Sequence, residues 1–514
     1  MWINRRAGLI AAILAMIGPV RAEAPMSAID WLSQTVATPV ALPLPPTAGE
    51  PAVTSDALPG DVTVQSIDGP SLDAVGLVPV SVSGLPRDLW GPTPTADLVA
   101  LIRAQPADAM PGLKRLLQTL LLAELDPPVD SDGRGLLFLA RIDRLLESGA
   151  LDPAMALLDQ AGTTSPDTFR RWFDVALLTG AEDRACTTLG QRPDVAPTIP
   201  ATIFCLAQNG DWSAAATTLR SAEALGDVTP EDEALLSRFL DPELYEGDPP
   251  LPAPSRVSPL NWRMMEAIGQ PLATNILPLA FAHGDLRSNT GWKGQIEAAE
   301  RLTRSGAIAP NQLLGLYDAS KPAASGGVWD RAAAVQALDK ALAARDSLAV
   351  AAVLPQVWTL MTEAELEVAF ADLFGEALAK LPLDGQAAAI AWHVGLLSPG
   401  YESVALNHAT PATSADAFLA GLARGDLTGT TPTDQLGAAI RDGFGPRTLP
   451  ADLATMIADK RLGEAMLTAC LLISAGAIGD VAKISDGLAT LRAVGLEDVA
   501  RRTALELILL ERRG

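Results

Sequence analysis

Gly149, Gly180 and Gly210 recur at intervals of about 30 residues, each between two stretches whose apolar residues repeat with helical spacing. An alanine follows each glycine at the same distance: Ala154, Ala185 and Ala215. After Gly149 and Gly210 another follows seven residues later, at Ala161 and Ala222. Glycine adopts the left-handed backbone that ends one helix and admits the next, and alanine lets two helix backbones approach closely. The pattern therefore predicts helical hairpins stacked side by side, each burying a face it cannot bury alone. Composition agrees: aromatics are only 4% of the chain, while alanine and leucine dominate, which favours closely packed helices over sheets.

The segment Gly210-Asp211-Trp212-Ser213-Ala214-Ala215 through Ala222 resembles the second helix of a tetratricopeptide repeat, where a Gly-acid-aromatic turn precedes a helix with alanines at these offsets. The first-helix signature is degenerate throughout. Ser305-Gly306-Ala307-Ile308 and Ala475-Gly476-Ala477-Ile478 echo the turn without the full alanine pattern. The expected fold is all-α, an irregular tetratricopeptide-like α-solenoid of helical hairpins. The alternative is an irregular helical domain in which the Gly-to-Ala spacing is coincidental. Through residues 76–90, 291–302 and 322–331 the chain also resembles an uncharacterised family of exported bacterial proteins, sometimes labelled antifreeze glycopeptide-related. That label follows composition. Residues 214–218 and 409–415 mimic Ala-Ala-Thr units but do not recur in register, and ice binding needs a flat, regular threonine array.

Ahead of the helices the chain has a different character. A basic start with Arg5-Arg6, an uncharged run from Ala7 to Ile17, and Val20-Arg21-Ala22 make residues 1–22 a candidate signal peptide, cleaved after Ala22. The protein is then expected in the periplasm or outside the cell. Residues 23–60 read as a flexible Pro-rich linker and 61–94 as a short extended or β segment, with Val62, Val64 and Ile67 in one alternation and Val78, Val80 and Val82 in another. Helical regions are expected over 95–247, 260–399 and 434–514, divided by a Pro-rich break at 248–259 and a Thr/Gly/Ala-rich linker at 400–433. No segment after the signal is long enough to span a membrane, which takes about 20 apolar residues.

Losing Arg5, Arg6 and Arg21 with the signal leaves 35 of the 38 basic residues against 61 acidic ones. Such a surface repels phosphates, so nucleic acid and anionic lipid are not the expected partners. In an oxidising compartment, Cys186 and Cys205 are expected to form a disulfide. They lie equally far from the proline-marked connection at Pro193, Pro197 and Pro200, so antiparallel helices bring them level. Cys470, inside an apolar run, is expected as a buried free thiol. The alternative is three reduced core cysteines.

Motifs that carry chemistry fail on their neighbours. Tyr317 and Lys321 have the Tyr-x-x-x-Lys spacing of short-chain dehydrogenases, but Pro322 follows at once and no Gly-rich fingerprint precedes them. Asp130 and Asp132 open like a calcium loop that continues into Arg134 and Arg141, and read better as a turn capping the next helix. Tyr401-Glu402-Ser403 resembles the Glu-Ser pair of lytic transglycosylases without its companion motif. His283, His393 and His408 lack metal-ligand spacing, so no metal or cofactor is expected. Ser325, Gly326, Gly327 and Trp329 form the best candidate groove, a flexible backbone beside an aromatic ring. The expected function is that of a non-enzymatic periplasmic scaffold or adaptor that binds a protein or peptide segment in the cell envelope. A cell-wall-associated enzyme or its accessory, and a carrier of a small ligand, are the alternatives.

Overall fold

A computed structural model of the chain describes residues 71–162, 165–407 and 413–510. The signal peptide, the Pro-rich linker, the first alternation and His408 lie outside these residues. The described residues are helical and contain no strand. Of the second alternation, Val78 makes one isolated bridge to Ala123, and Val80–Ser83 is a helical turn entered from Pro79. Within the expected extended or β segment, residues 78–83 thus form a single bridge and a turn.

The glycine turns build hairpins. Leu136–Glu147 pairs with Leu151–Ala161, Pro166–Thr179 with Glu182–Gln191, and Ile199–Gln208 with Trp212–Leu225. Gly149, Gly180 and Gly210 take φ of 78°, 80° and 87°. After each, a backbone N–H reaches back to the helix just ended: Ala150 to Leu145 O, Ala181 to Ala176 O, and Asp211 to Leu206 O, at 2.8–2.9 Å. Ala154, Ala185, Ala215 and Ala222 are buried between the helices, as close approach requires. Ser165 and Thr198 cap the first helices of the second and third hairpins, accepting from Thr168 N and Ala201 N.

Cys186 and Cys205 are joined by a disulfide, with their Cα atoms 4.7 Å apart. The bond ties the end of one hairpin to the start of the next. Cys470 is a buried free thiol, and burial pushes it up to about 12.

Residues 246–258 are irregular, and Ser258 then caps Pro259–Ala267. The linker expected over 400–433 is corrected. It contains the helices Tyr401–Asn407 and Ser414–Arg424, which bury Tyr401, Phe418, Leu419 and Leu422. Its small and hydroxylated residues hide a narrow apolar stripe, and Thr413 caps the second helix by accepting from Asp416 N.

The solenoid closes on itself. Leu462–Ala477 packs against Thr95–Ala104, and the last helix, Glu497–Leu509, against Pro111–Leu122. Polar contacts fix this closure. Gly112 N donates to the buried Glu506 carboxylate at 2.7 Å, Gln105 to Leu467 O at 3.0 Å, Thr93 to Glu464 at 2.9 Å, and Gly463 N to Leu89 O at 2.9 Å. A Cβ on Gly112 would lie 3.0 Å from Thr503 Oγ1 and 3.2 Å from the Glu506 carboxylate, so the two helices approach closely at this glycine.

Several charges are buried by design of the hairpins. Arg141 donates to four carbonyls: Leu121, Ala123, Asp73 and Val75. It thereby ties the entering chain to the first hairpin, and burial pulls its guanidinium down to about 10. Arg171 grips Asp143 at 2.5 and 2.9 Å. Beside them Asp174 is buried, 4.0 Å from Arg170, and loss of solvent pushes its carboxyl up to about 7 against the opposing pull of Arg170 and Arg171.

Candidate functional site

Closure brings three parts of the chain to one place: the start of Pro111–Leu122, the end of Trp292–Ser305 with its Gly306 turn, and the end of Leu462–Ala477. Between them lies a cleft of about 720 Å³, bounded by Met110, Leu279, Arg301, Leu471 and Ile478. Lys114, Arg304 and Glu365 belong to its wall and also to that of a second cleft of about 320 Å³. Asp372 links the second to a third cleft of about 640 Å³, lined by Trp392, Leu381, Ser403 and Asn407. A small lobe of about 140 Å³ beside Arg144 shares Lys114 and Ser305. Shared wall residues make these clefts neighbours, together a trench.

Its polar groups are positioned from the helices. Arg115 holds Asp372 at 2.5 Å. Arg144 holds Glu147 at 2.7 Å. Arg304 donates to Ala364 O at 3.0 Å and faces Glu365 at 3.7 Å. Lys114 donates to Arg304 O, and Arg301 to the carbonyls of Thr274 and Leu277. Burial lowers the Arg301 pKa, and burial holds the Asp372 carboxyl above the ordinary range against Arg115 and Arg502. Among the described residues, Thr303 Oγ1, Ser474 Oγ and Asp372 Oδ1 are buried with no hydrogen-bond partner, although their side chains line the trench.

The residues singled out from sequence lie elsewhere. Ser325, Gly326 and Gly327 are exposed and line none of these four clefts. Gly327 enters the helix Val328–Ala343 with φ 56° and ψ −125°, a backbone that only glycine adopts freely. Trp329 packs on Trp292 with ring centres 5.0 Å apart, and Trp292 Nε1 donates to Leu316 O. Gly327 therefore serves a helix start and the Trp329 ring serves packing.

The discarded motifs have structural roles. Tyr317 is buried and donates to Glu300, which Arg331 clamps at 2.6 and 2.7 Å. Burial and Glu300 raise the Tyr317 pKa, the opposite of what a catalytic tyrosine needs. Asp130 caps Thr95–Ala104 through Thr95 N and Oγ1, so it serves the helix before it in the sequence and not the one after. Tyr401 donates to Asp498, and Glu402 points outward to Arg501. His283 is buried with Nε2 2.6 Å from Gly149 O, and burial lowers its pKa.

Sequence reading passed over Lys114, Arg115, Arg301, Arg304 and Asp372. The only local signal was a basic pair, Lys114-Arg115, on a helix of an acidic chain. Among the described residues no group of three or more His, Cys, Asp or Glu side chains could hold a metal ion. No family model, no curated protein and no solved structure matches the chain.

Proposed function

We propose that the protein is an exported helical-repeat scaffold that holds an extended segment of another envelope protein in its trench. The observation that carries this reading is that three clefts lie side by side, sharing the wall residues Lys114, Arg304, Glu365 and Asp372. A small ligand needs one enclosed pocket, whereas an extended chain needs a run of connected ones. The carboxylates Asp372 and Glu147 are ion-paired to arginines, an arrangement suited to recognition more than to proton transfer. The tetratricopeptide resemblance of the hairpins supports the same reading. Export is supported by the signal-like start and by the disulfide, which persists in oxidising compartments. No helix among the described residues is long and apolar enough to cross a membrane.

Site-directed photo-cross-linking in the native envelope tests the reading. A photoreactive residue at Gln118 or Ile478, both in the trench wall, is expected to capture one defined partner. The same residue at Leu348, exposed and outside these clefts, is expected to capture none. Equal labelling from Leu348 would contradict the trench, and turnover of peptidoglycan by the purified protein would favour the enzyme alternative.

A further inference from the structure

Residues 279–287 run as a strap across the ends of the first two hairpins. At the first turn, a Cβ on Gly149 would lie 2.9 Å from Leu302 Cδ2 and 3.0 Å from Leu279 Cγ, so the strap and the helix behind it close directly on the turn. At the second, Arg287 Cδ passes 3.5 Å from where a Gly180 Cβ would stand. Ala280, Phe281, Ala282 and His283 are buried in this contact. His283 Nε2 reaches Gly149 O at 2.6 Å and so joins the strap to the first turn. We infer that His283 is an acid-sensitive pin: a second proton on its ring releases the strap from the Gly149 turn. This inference does not depend on what the trench holds.

A carbonyl only accepts, so Nε2 carries the proton of the neutral ring and acid adds the next one at Nδ1. That proton puts a cation into a buried joint. Burial accordingly lowers the His283 pKa from the ordinary 6.5, with the Gly149 bond and Asp152 opposing. Asp152 is exposed at the start of Leu151–Ala161, where solvent screens it. Charges on the other packed elements are engaged elsewhere. On the strap itself Asp285 accepts from Thr274, and Arg287 holds Glu266. On Trp292–Ser305, Arg301 holds two carbonyls and Glu300 is clamped by Arg331. On the hairpins, Arg144 pairs with Glu147, Arg171 with Asp143, and Arg170 lies beside Asp174. The neutral ring therefore supports the joint fully above about pH 6.5, and this support is lost as pH falls below it. Leu279 walls both the 720 Å³ cleft and the small lobe, so release of the strap reshapes the trench.

Hydrogen exchange on the full chain tests this between about pH 7.5 and about pH 5, with the intrinsic pH dependence of exchange divided out. Each opening that frees His283 takes up one proton. Protection of residues 150–158 and 279–286 should therefore fall about tenfold per pH unit below about 6.5. His283→Gln keeps an N–H for Gly149 O but cannot become charged, so its protection there should hold across the range. Asp174, raised to about 7, also takes up a proton in this range with the opposite sign, and it does so in both proteins. Equal loss of protection in the parent and in His283→Gln, or no loss in the parent, would overturn the pin. If His283→Gln is already loose near neutral pH, NMR titration of the parent imidazoles carries the test. The His283 signal is then assigned by elimination with His393→Gln and His408→Gln. A ring that stays neutral below about 6.5 supports the pin, and one that charges at or above it overturns it.

Discussion

The hairpins of residues 136–225 and the helices of residues 328–379 use the same turn with different residues. In the first region glycine takes the left-handed position after each first helix, at Gly149, Gly180 and Gly210. In the second, Arg345 and Glu365 take it, with φ of 53° and 54°. The hydrogen bonds are alike: Asp346 N reaches Ala341 O and Leu366 N reaches Met361 O, just as Ala181 N reaches Ala176 O. Lys460 repeats the arrangement before Leu462–Ala477, with φ 59°. The geometry belongs to helix-to-helix turns in general, and glycine is only its least strained occupant. A non-glycine occupant stores strain of about 1 kcal/mol, which packing on either side of the turn must offset. The periodic region therefore announces itself in sequence, and the other is built alike without announcing it.

That comparison predicts effects of opposite sign in the two regions. The largest belongs to the first region alone. Reducing the Cys186–Cys205 bond, or replacing both cysteines by alanine, should cost ~3 kcal/mol in the chain-entropy view, read as a lower midpoint in denaturant melts. Thiol counting in denaturant should find one reactive group, Cys470.

Next comes Asp174, buried in the second hairpin. Its carboxyl is raised to about 7 when folded. Its favourable contribution is therefore complete below the ordinary carboxyl range and is lost as pH rises through about 7. Asp174→Asn should leave stability near pH 4 unchanged and raise it near pH 8 by about 2 kcal/mol, compared by parallel melts. A variant that is less stable at pH 8 would show the carboxylate to be engaged as an ion.

Smaller still is the turn itself. Gly210→Ala should cost about 1 kcal/mol through backbone strain alone, since a Cβ there meets nothing within 4 Å. The opposite change, Arg345→Gly, should gain about 0.5 kcal/mol in the same assay. Equal signs for the two substitutions would break the comparison.

The all-α class and the three glycine hairpins were legible because local chemistry writes them: a glycine, a small residue at fixed distance, a cap. The disulfide was legible from two cysteines placed symmetrically about a connection. Chain closure was not legible. It rests on pairs such as Gly112 with Glu506, whose partners lie 394 residues apart and carry no periodic mark. Glu506 lies beside the apolar stripe of its helix, where sequence alone puts a solvated acid. The trench was missed for the same reason, because its walls come from segments around residues 110, 305, 370 and 475. Within the groove expected at Ser325–Trp329, Gly327 meets the backbone demand of a helix start, a role that composition alone does not separate from that of a binding loop. The linker expected over 400–433 failed because alanine and threonine composition masked Phe418, Leu419 and Leu422.

Closure supplies the wall of the 720 Å³ cleft from Leu471 to Ile478, and hydrogen exchange on Glu506→Ala tests it most directly. The substitution leaves Gly112 N buried without its acceptor, at a cost of about 1–3 kcal/mol, and loosens the contact between the last helix and Pro111–Leu122. Amides of Pro111–Leu122 should lose protection together with those of Glu497–Leu509, while the hairpins over 166–225 keep theirs. Loss of protection confined to Glu497–Leu509, with Pro111–Leu122 unchanged, would mean that these two helices do not meet in solution.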